Sequence, residues 1–544
     1  MQWLAGTLRD SPELAIFLAL GLGALVGAAR LGNFSLGTAS GALLAGLALG
    51  QLEIPVEASA KASLFLLFLF ANGYAVGPQF VRGLRRDGVR PLALAAFQAV
   101  VGLAGCLAFA KMLDLDPGLA AGMLSGSLTQ SPAIGTAADA IGSLPLPEAE
   151  RERLVGHIAV AHALTYVFGA FGAIWFLGRA APRLLGIDPV SEARALEESL
   201  GVKAERPGIL SAYRPFAVRA YRVESAAAVG RTVSEVEAAL PAKRVFVLRL
   251  RRGAGIVEVD ADTRIERGDI VALGGRLKAV IEAGLAMGPE DADPALLDFP
   301  LTAATVVVAR GEIAGRTLAD LAGLRETRAV GVRRITRLGE ELPILPGTTL
   351  EAGDVVEVVG PEPDVARVAA LLGRSLPPTL ATDLGVLGLA IAIGGTLGAV
   401  GVLAAGVAVG HVAARRPGFG RVPPAAVELM RTLGLAGFVA MTGIQAGPHF
   451  VAAFREAGVA LLLAGVACTL VPLACGVLFA RRVLRMNPVL ALGACAGAQT
   501  ATPALAAVQE ASQSKIAVLG YTVPYAAGQI FLTLWGGVIV ALVA

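Results

Sequence analysis

Gly126-Ser127-Leu128-Thr129-Gln130-Ser131-Pro132-Ala133 recurs near the other end of the chain as Gly497-Ala498-Gln499-Thr500-Ala501-Thr502-Pro503-Ala504. Glycine, threonine, a hydroxyl residue, proline and alanine stand at the same offsets in both copies. Ser127, Thr129, Gln130, Ser131, Gln499, Thr500 and Thr502 supply hydroxyls and amides, which donate and accept hydrogen bonds alike. Such groups suit recognition of a ligand through hydrogen bonds. Pro132 and Pro503 suit the first turn of a returning half-helix, whose free N–H groups and positive dipole end attract an anion. Two facing termini of this kind would hold one or two carboxylates without a buried lysine. Ser, Thr and Gly are also common at plain helix contacts in membranes, but a motif that recurs favours the binding reading.

Other candidates are fewer. Arg431 and Glu428 lie three residues apart in one apolar run, so they share a helix face and can pair. An intramembrane charge is functional by default, which makes Arg431 a candidate partner for a substrate carboxylate. Lys61 matches Arg431 across the repeat but starts its span, where it can snorkel. Tyr166 and Tyr525 occupy matching spans next to the two motifs, with His162 one turn before Tyr166. That histidine either titrates near neutral pH or serves as a packing residue. Gly73-x-x-x-Gly77-Pro78 and Gly443-x-x-x-Gly447-Pro448 permit close helix contact, for tight association or for gating. His157, His411 and His449 form no metal spacing, and no Ser/His/Asp or Cys/His arrangement suggests catalysis. Cys106, Cys468, Cys475 and Cys495 all lie in apolar runs and read as small core hydrophobes. Neither an enzyme, a cofactor nor a metal centre is expected.

These residues must be positioned by membrane helices. Of 544 residues, 55% are hydrophobic and only 16% charged, with a mean hydropathy of +0.68; soluble domains carry about 25% charge. A net charge of +3 without aromatic–basic interleaving excludes nucleic acid as a partner. Apolar runs stand at about 14–30, 35–51, 62–81, 91–112, 117–142 and 154–178, then at 380–395, 397–412, 425–447, 457–480, 488–509 and 516–543. The first lacks a basic n-region and a cleavage site, so it reads as a retained helix. The chain is thus membrane half 1 (1–180), a mostly polar insert, and membrane half 2 (378–544).

The halves are copies. Gly73–Phe80 matches Gly443–Phe450 at an offset of 370, the proline motif follows at 371, and His162–Gly169 matches Tyr521–Gly528 at 359. Gly41, Gly46 and Gly50 match Gly401, Gly406 and Gly410 at 360. Lys and Arg in short loops stay cytoplasmic. The basic loops (Arg30; Arg82, Arg85, Arg86 and Arg90; Arg179 and Arg183; Arg415, Arg416 and Arg421; Arg481, Arg482 and Arg485) share one side only if each proline-motif run enters and returns on the same face. This predicts a polytopic α-helical membrane protein with five crossings plus one re-entrant hairpin per half, although a broken helix that crosses fully is the alternative. Five is odd, so the second repeat is inverted, the insert cytoplasmic and both termini external. Two matching interruptions of this kind point to a transport site near the midplane.

The insert is duplicated as well: Gly230-Arg-Thr-Val matches Gly315-Arg-Thr-Leu, and Asp262–Val271 matches Gly347–Val356, both at an offset of 85. Short β-branched runs between Gly/Asp turns predict two α+β modules, 208–286 and 297–372. Neither has G-x-G-x-x-G after a strand nor a Walker A sequence, so nothing points to NAD or ATP.

Two membrane halves carrying G-x-x-x-G-P-x-F with T-Q-S-P-A and T-A-T-P-A, split by two modules that resemble RCK C-terminal (TrkA-C-like) domains, are similar to the aspartate:alanine exchanger family over nearly the whole chain. The resemblance implies exchange of L-aspartate for L-alanine, or of related carboxylates, across a bacterial inner membrane. It implies, more distantly, an elevator mechanism and a homodimer in contact with lipid. It further implies a small regulatory ligand at the insert. A cation/proton antiporter is the runner-up and a ligand-gated channel stands third; a cation antiporter usually needs an intramembrane Asp or Glu at its broken helices, and neither motif has one.

Overall fold

In hydrocarbon a segment must satisfy its own backbone groups, so the apolar runs fold as helices. The computed structural model describes residues 2–28, 30–31, 34–35, 37–84, 89–200, 216–240, 245–298, 301–375, 382–415 and 419–544. Positions 85, 86, 88, 416 and 208–215, and the side chains of Arg82, His449, Arg455 and Glu456, lie outside what it describes. The first half contains α1 (Gln2–Asp10), α2 (Pro12–Ala28), α3 (Thr38–Gly50), α4 (Ala58–Gly83), α5 (Val89–Met112), α6 (Pro117–Ser127), α7 (Pro132–Gly142) and α8 (Glu148–Trp175). A π-helical turn, Phe176–Ala180, leads from α8 into α9 (Ala181–Leu185), and α10 (Pro189–Ser199) follows. The insert holds α11 (Val233–Ala239), α12 (Leu277–Met287), α13 (Pro294–Leu297), α14 (Leu318–Ala322) and α15 (Glu362–Leu372). The second half contains α16 (Leu384–Gly395), α17 (Gly398–Arg415), α18 (Pro424–Arg482), α19 (Pro488–Ala498), α20 (Thr502–Ser512) and α21 (Val518–Val543). Helix α18 comprises two spans, Pro424–Pro448 and Gly458–Arg482. Among the described residues seven helical stretches are long and apolar enough to cross a membrane, and α2, α3, α16 and α19 are shorter apolar helices.

Each proline-motif segment is a hairpin. At one end of the first, Asp116 Oδ2 lies 2.6 Å from His157 Nδ1; at the other, Arg151 Nη1 donates to Gly142 O at 2.9 Å. Both ends therefore meet the first turns of α8, and the segment goes in and returns on one face. Burial alone would raise the Asp116 carboxyl, but its bonds from His157 and from the Leu119 N–H, with the charges of His157 and Arg153, outweigh that and hold it below the usual carboxylate range. In the second copy Gly520 abuts Leu490 and Gly493 abuts Ala517, while α20 ends six residues before α21 begins. That hairpin too begins and ends beside one helix start.

The hairpins come from opposite faces. Helix α5 runs antiparallel to α6, with Cys106 beside Ser127, and parallel to α21, with Ala95 packed on Ala527 and Ala99 O accepting from Trp535 Nε1 at 2.8 Å. Helix α19 runs parallel to α21, since Leu490 meets Gly520 and Gly497 meets Tyr521. Thus α6 and α19 point toward each other, which makes the halves inverted repeats. Cysteines placed one at a time at Asp114 and Ser143 on a cysteine-free background should be labelled by an impermeant reagent from one side only. Those at Arg485 and Gln513 should be labelled from the other. All four positions are exposed. Labelling of 114 and 143 from opposite sides would mean that the first motif crosses.

Glycine seams knit the halves together. Gly46 and Gly50 lie on Ala440 and Ile444, and Gly443 and Gly447 on Leu43 and Gly50, so α3 packs on 424–448 backbone to backbone. Gly73 and Gly77 lie on Leu403 and Val407, and Gly406 and Gly410 on Phe70 and Tyr74, so α4 packs on α17 in the same way. The helices run on past both prolines: α4 reaches Gly83, and α18 is helical through Pro448.

The chain divides into two compact units, Met1–Leu196 with Leu380–Ala544, and Glu197–Thr379. A two-stranded pair, β1 (Arg30–Leu31) with β2 (Phe34–Ser35), joins α2 to α3. In the second unit β3 (Phe216–Arg222), β4 (Phe246–Arg252), β5 (Gly255–Glu258), β6 (Ile270–Arg276) and β7 (Glu290–Asp291) form an antiparallel sheet of order β5-β4-β6-β3-β7. Strands β8 (Leu301–Val308), β9 (Gly331–Arg337), β10 (Glu340–Glu341), β11 (Val355–Pro361) and β12 (Gly373–Ser375) repeat it as β10-β9-β11-β8-β12. The repeat extends to side chains. Thr232/Glu235 and Thr317/Asp320 are matching capping boxes, and Arg252–Asp269 and Arg337–Asp354 are matching ion pairs at 2.8 and 2.6 Å. Arg337 and Asp354 are 4% and 0% exposed, whereas Arg252 is 38% exposed. Stripping one partner from a buried pair strands a charge, so Asp354→Ala should cost the second sheet about 3–5 kcal/mol and Asp269→Ala clearly less. Faster amide exchange across β11 in the full chain would report it. Equal effects of the two substitutions would contradict the burial argument.

Candidate functional site

Helix α6 ends in a Schellman motif: the Thr129 N–H donates to Gly126 O at 3.0 Å and the Gln130 N–H to Ser125 O at 2.8 Å. Helix α19 ends in the same way, Thr500 N–H to Gly497 O at 2.7 Å and Ala501 N–H to Ala496 O at 2.9 Å. This motif wants glycine at its left-handed position, yet threonine stands there in both copies, at φ 56° and 55°. A β-branched residue in that region is strained by roughly 1–3 kcal/mol and persists where the surroundings over-determine it. Here each strained threonine reaches the other tip. Thr129 Oγ1 donates to Gln499 O at 3.0 Å, and Thr500 Oγ1 donates to Gln130 Oε1 at 2.9 Å.

Amides extend the contact. Gln499 Nε2 donates to Ser127 O at 3.3 Å, and Gln98 Nε2 from α5 to Gln499 Oε1 at 3.3 Å. Gln130 Nε2 donates to Thr533 Oγ1 at 2.8 Å and to Gln529 Oε1 at 3.3 Å, and Asn72 Nδ2 to Gln529 Oε1 at 3.1 Å. Asn72, Gln98, Gln130 and Gln499 are buried, and the Oδ1 of Asn72 and the Oε1 of Gln98 have no hydrogen-bond partner among the described residues. The result is a neutral polar network inside an apolar body.

The remaining candidates divide. The Ser127 hydroxyl turns back to Met123 O at 2.7 Å, so only its carbonyl faces the other tip. Ser131 Oγ lies 3.4 Å from His162 Nε2, and Ser125 Oγ lies 2.9 Å from His162 Nδ1. His162 is fully buried between two serines. Thr502 Oγ1 bonds the Tyr521 hydroxyl at 2.8 Å. Pro132 and Pro503 open the returning arms as read from the sequence, but the expected row of free N–H groups is not there. Ala133 and Ile134 donate to Gln130 O and Ser131 O, and Ala504 donates to Ala501 O, each at 3.0 Å, because the first turns are wound tightly on themselves. That leaves side chains, with the Ser131 and Thr502 N–H groups, to meet an anion at these tips.

A cavity of about 50 Å³ lies between the second tip and α8, lined by Thr129, Tyr166, Ala170, Thr500, Ala501 and Ala504, with Pro503. Tyr166 is thus at the tips, and its ring lies 5.2 Å from that of His162. Tyr525 is set back: it stacks on Tyr521 at 5.1 Å. Arg431 Nη2 donates to the Tyr525 hydroxyl at 3.3 Å, Nη1 lies 3.5 Å from Glu428, and its buried Nε has no partner among the described residues. Arg431 therefore reaches the second tip only through two tyrosines and Thr502. Lys61, its counterpart, donates to Gln445 Oε1 at 2.6 Å. Gly73, Gly77, Gly443 and Gly447 lie in the helix seams, with Pro78 and Pro448 inside the same helices. Among the described residues no group of three His, Cys, Asp or Glu side chains comes together as metal ligands.

Asn72, Gln98, Tyr521, Gln529 and Thr533 join the site without having been singled out from the sequence. A lone amide in an apolar run was the available signal for three of them. Tyr521 stood in plain view as the partner of His162 in the repeat.

The family model described as a predicted permease membrane region (Asp-Al_Ex) matches residues 15–180 and 379–541, and the TrkA-C domain model matches 303–373. An uncharacterized transporter of Bradyrhizobium diazoefficiens is 43% identical over 92% of this chain and 100% of its own length. One from Shewanella oneidensis is 36% identical over 99% of both chains, and one from Bordetella parapertussis is 38% identical over 99% of this chain and 98% of its own. No solved structure matches.

Proposed function

Because the chain belongs to the Asp-Al_Ex predicted-permease family, and is therefore a membrane transporter, we propose that it is a secondary active antiporter of small amino acids and carboxylates, of the aspartate:alanine type. The observation that carries this reading is the reciprocal bonding of two strained threonine tips that arrive from opposite faces. A site shared between inverted halves can open to either side while its own contacts are kept. The network at the tips contains no carboxylate, which suits an uncharged or anionic cargo and leaves a proton-coupled cation without its usual partner. Arg431, with a buried donor to spare, stands behind the second tip for a substrate carboxylate that arrives from that side.

Two bodies support elevator-like alternating access. The glycine seams bind α3, α4, α17 and 424–448 into one; Gly118, Gly122 and Gly126 on α8, and Gly493 and Gly497 on α21, bind each hairpin to a long helix in the other. The chain functions as a homodimer in the bacterial inner membrane. Its basic loops and the insert are cytoplasmic, and a small ligand at the insert biases transport. In liposomes loaded with labelled aspartate, external alanine should drive efflux. Absence of that exchange, with proton movement driven by sodium or potassium, would replace this reading by a cation/proton antiporter.

A further inference from the structure

We propose that the transported molecule sits on one side only of the paired tips, in the cavity beneath Tyr166, that Ala170 makes the room for it, and that this space takes a small zwitterionic amino acid. The inference rests on the transporter reading and names the ligand of that site.

The two sides of the tips are related by the internal repeat, so they should look alike, and they do not. The match of His162–Gly169 with Tyr521–Gly528 sets Ala170 opposite Gln529. Both are buried, at 7% and 8% exposure. On the α21 side the glutamine fills the space between helix and tip: its Oε1 accepts from Gln130 at 3.3 Å and from Asn72 at 3.1 Å. On the α8 side alanine stops short, and a cavity of about 50 Å³ remains. Two differences separate the plugged cleft from the open one: alanine at 170 where α21 has Gln529, and Ala501 at the tip where the other tip has Gln130.

The lining fixes the chemistry. Thr129, Thr500 and Tyr166 present hydroxyls, Ala170, Ala501 and Ala504 present methyl groups, and none of these residues is charged. The Thr129 and Thr500 oxygens, whose protons are bonded across the tips, still accept from an ammonium, and the Tyr166 hydroxyl donates to a carboxylate, so a net-neutral zwitterion is served at both ends. An unpaired anion would be buried without a counter-charge, which is costly. A water needs about 10–15 Å³ measured in this way, so the cavity holds roughly three to five. Alanine, with six bonded heavy atoms, matches that space. Aspartate adds a second carboxylate, which finds no cation on this wall and needs Arg431, behind the second tip.

Binding of radiolabelled L-alanine and L-aspartate to the purified full-length protein in nanodiscs tests this. Ala170→Gln should fill the open side by its bulk and weaken alanine binding by about tenfold or more, while Ala170→Ser stays within about threefold of the native chain. Tyr166→Phe removes one oxygen at constant volume and should weaken alanine by about three- to tenfold without altering the melting temperature. Native alanine affinity in Tyr166→Phe, or in a folded Ala170→Gln, would place the ligand elsewhere and leave the transporter reading standing. A native chain that neither binds nor exchanges alanine or aspartate would sink that reading, and this inference with it.

Discussion

Leucine at Gly73 is expected to leave no folded transporter in the membrane. A Cβ at this position falls under 3.0 Å from the Leu403 carbonyl, which belongs to the backbone of α17 and cannot rotate away. Gly406 stands in the same relation to Phe70 across the seam, so the two helices touch main chain to main chain on both sides. Helix association in hydrocarbon depends on such close contact because lipid tails compete equally well for large apolar side chains. Alanine would force the pair apart by several tenths of an ångström, at about 1–3 kcal/mol. The three further carbons of leucine require a gap that interiors at crystal-like density do not contain, and the loss then rivals the roughly 5–15 kcal/mol of a whole domain. Size-exclusion profiles and melting curves in detergent would show it as aggregation. Two alanines in one seam, Gly73→Ala with Gly406→Ala, should cost less than the sum of the single changes, because the seam opens once. Gly73→Ala with Gly443→Ala, in seams with no shared partners, should add. A well-folded Gly73→Leu protein that still exchanges substrate would show that the α4–α17 seam is not what holds the halves together.

Much of this architecture was legible in the residues. The span positions follow from hydropathy because hydrocarbon leaves a backbone no alternative to helix, and the repeat in the glycines showed which helices correspond. The hairpins were readable from Arg82–Arg90 and Arg179/Arg183, since one crossing more or fewer in the motif would have put these basic loops on opposite sides. What periodicity does not carry is the pairing of individual side chains. Nothing in the motif says that Thr129 bonds the other tip's backbone while Ser127 folds back on its own helix; that depends on a left-handed φ at one residue. The row of free N–H groups expected at Pro132 and Pro503 is shortened for a similar reason, as a tight first turn consumes those of Ala133, Ile134 and Ala504 locally. Gln98 and Gln529 lay in runs whose average hydropathy hid them, although an amide in such a run has to find partners.

The second large effect is expected at Gln130, where one side chain holds both tips and α21. Gln130→Leu keeps the bulk but leaves the Thr500 hydroxyl without its acceptor and the Thr533 hydroxyl without its donor. At about 1–3 kcal/mol per stranded buried group, substrate affinity should fall by roughly 10- to 100-fold. Thr500→Val strands fewer groups, since it removes a donor and leaves Gln130 bonded through its amide nitrogen, so its cost should sit at the low end of that range. If the two tips act as one site, the double variant must cost less than the sum of the two, with a coupling of about 0.5–3 kcal/mol, because the bond between Oγ1 and Oε1 can be lost only once. Gln130 has its repeat counterpart at Ala501, which carries no polar group, so Ala501→Gln offers no symmetrical rescue and should not restore binding to Gln130→Leu. Measured affinities that add without coupling, in variants with native melting behaviour, would mean that the tips meet only as packed helix ends and that the substrate is held somewhere else.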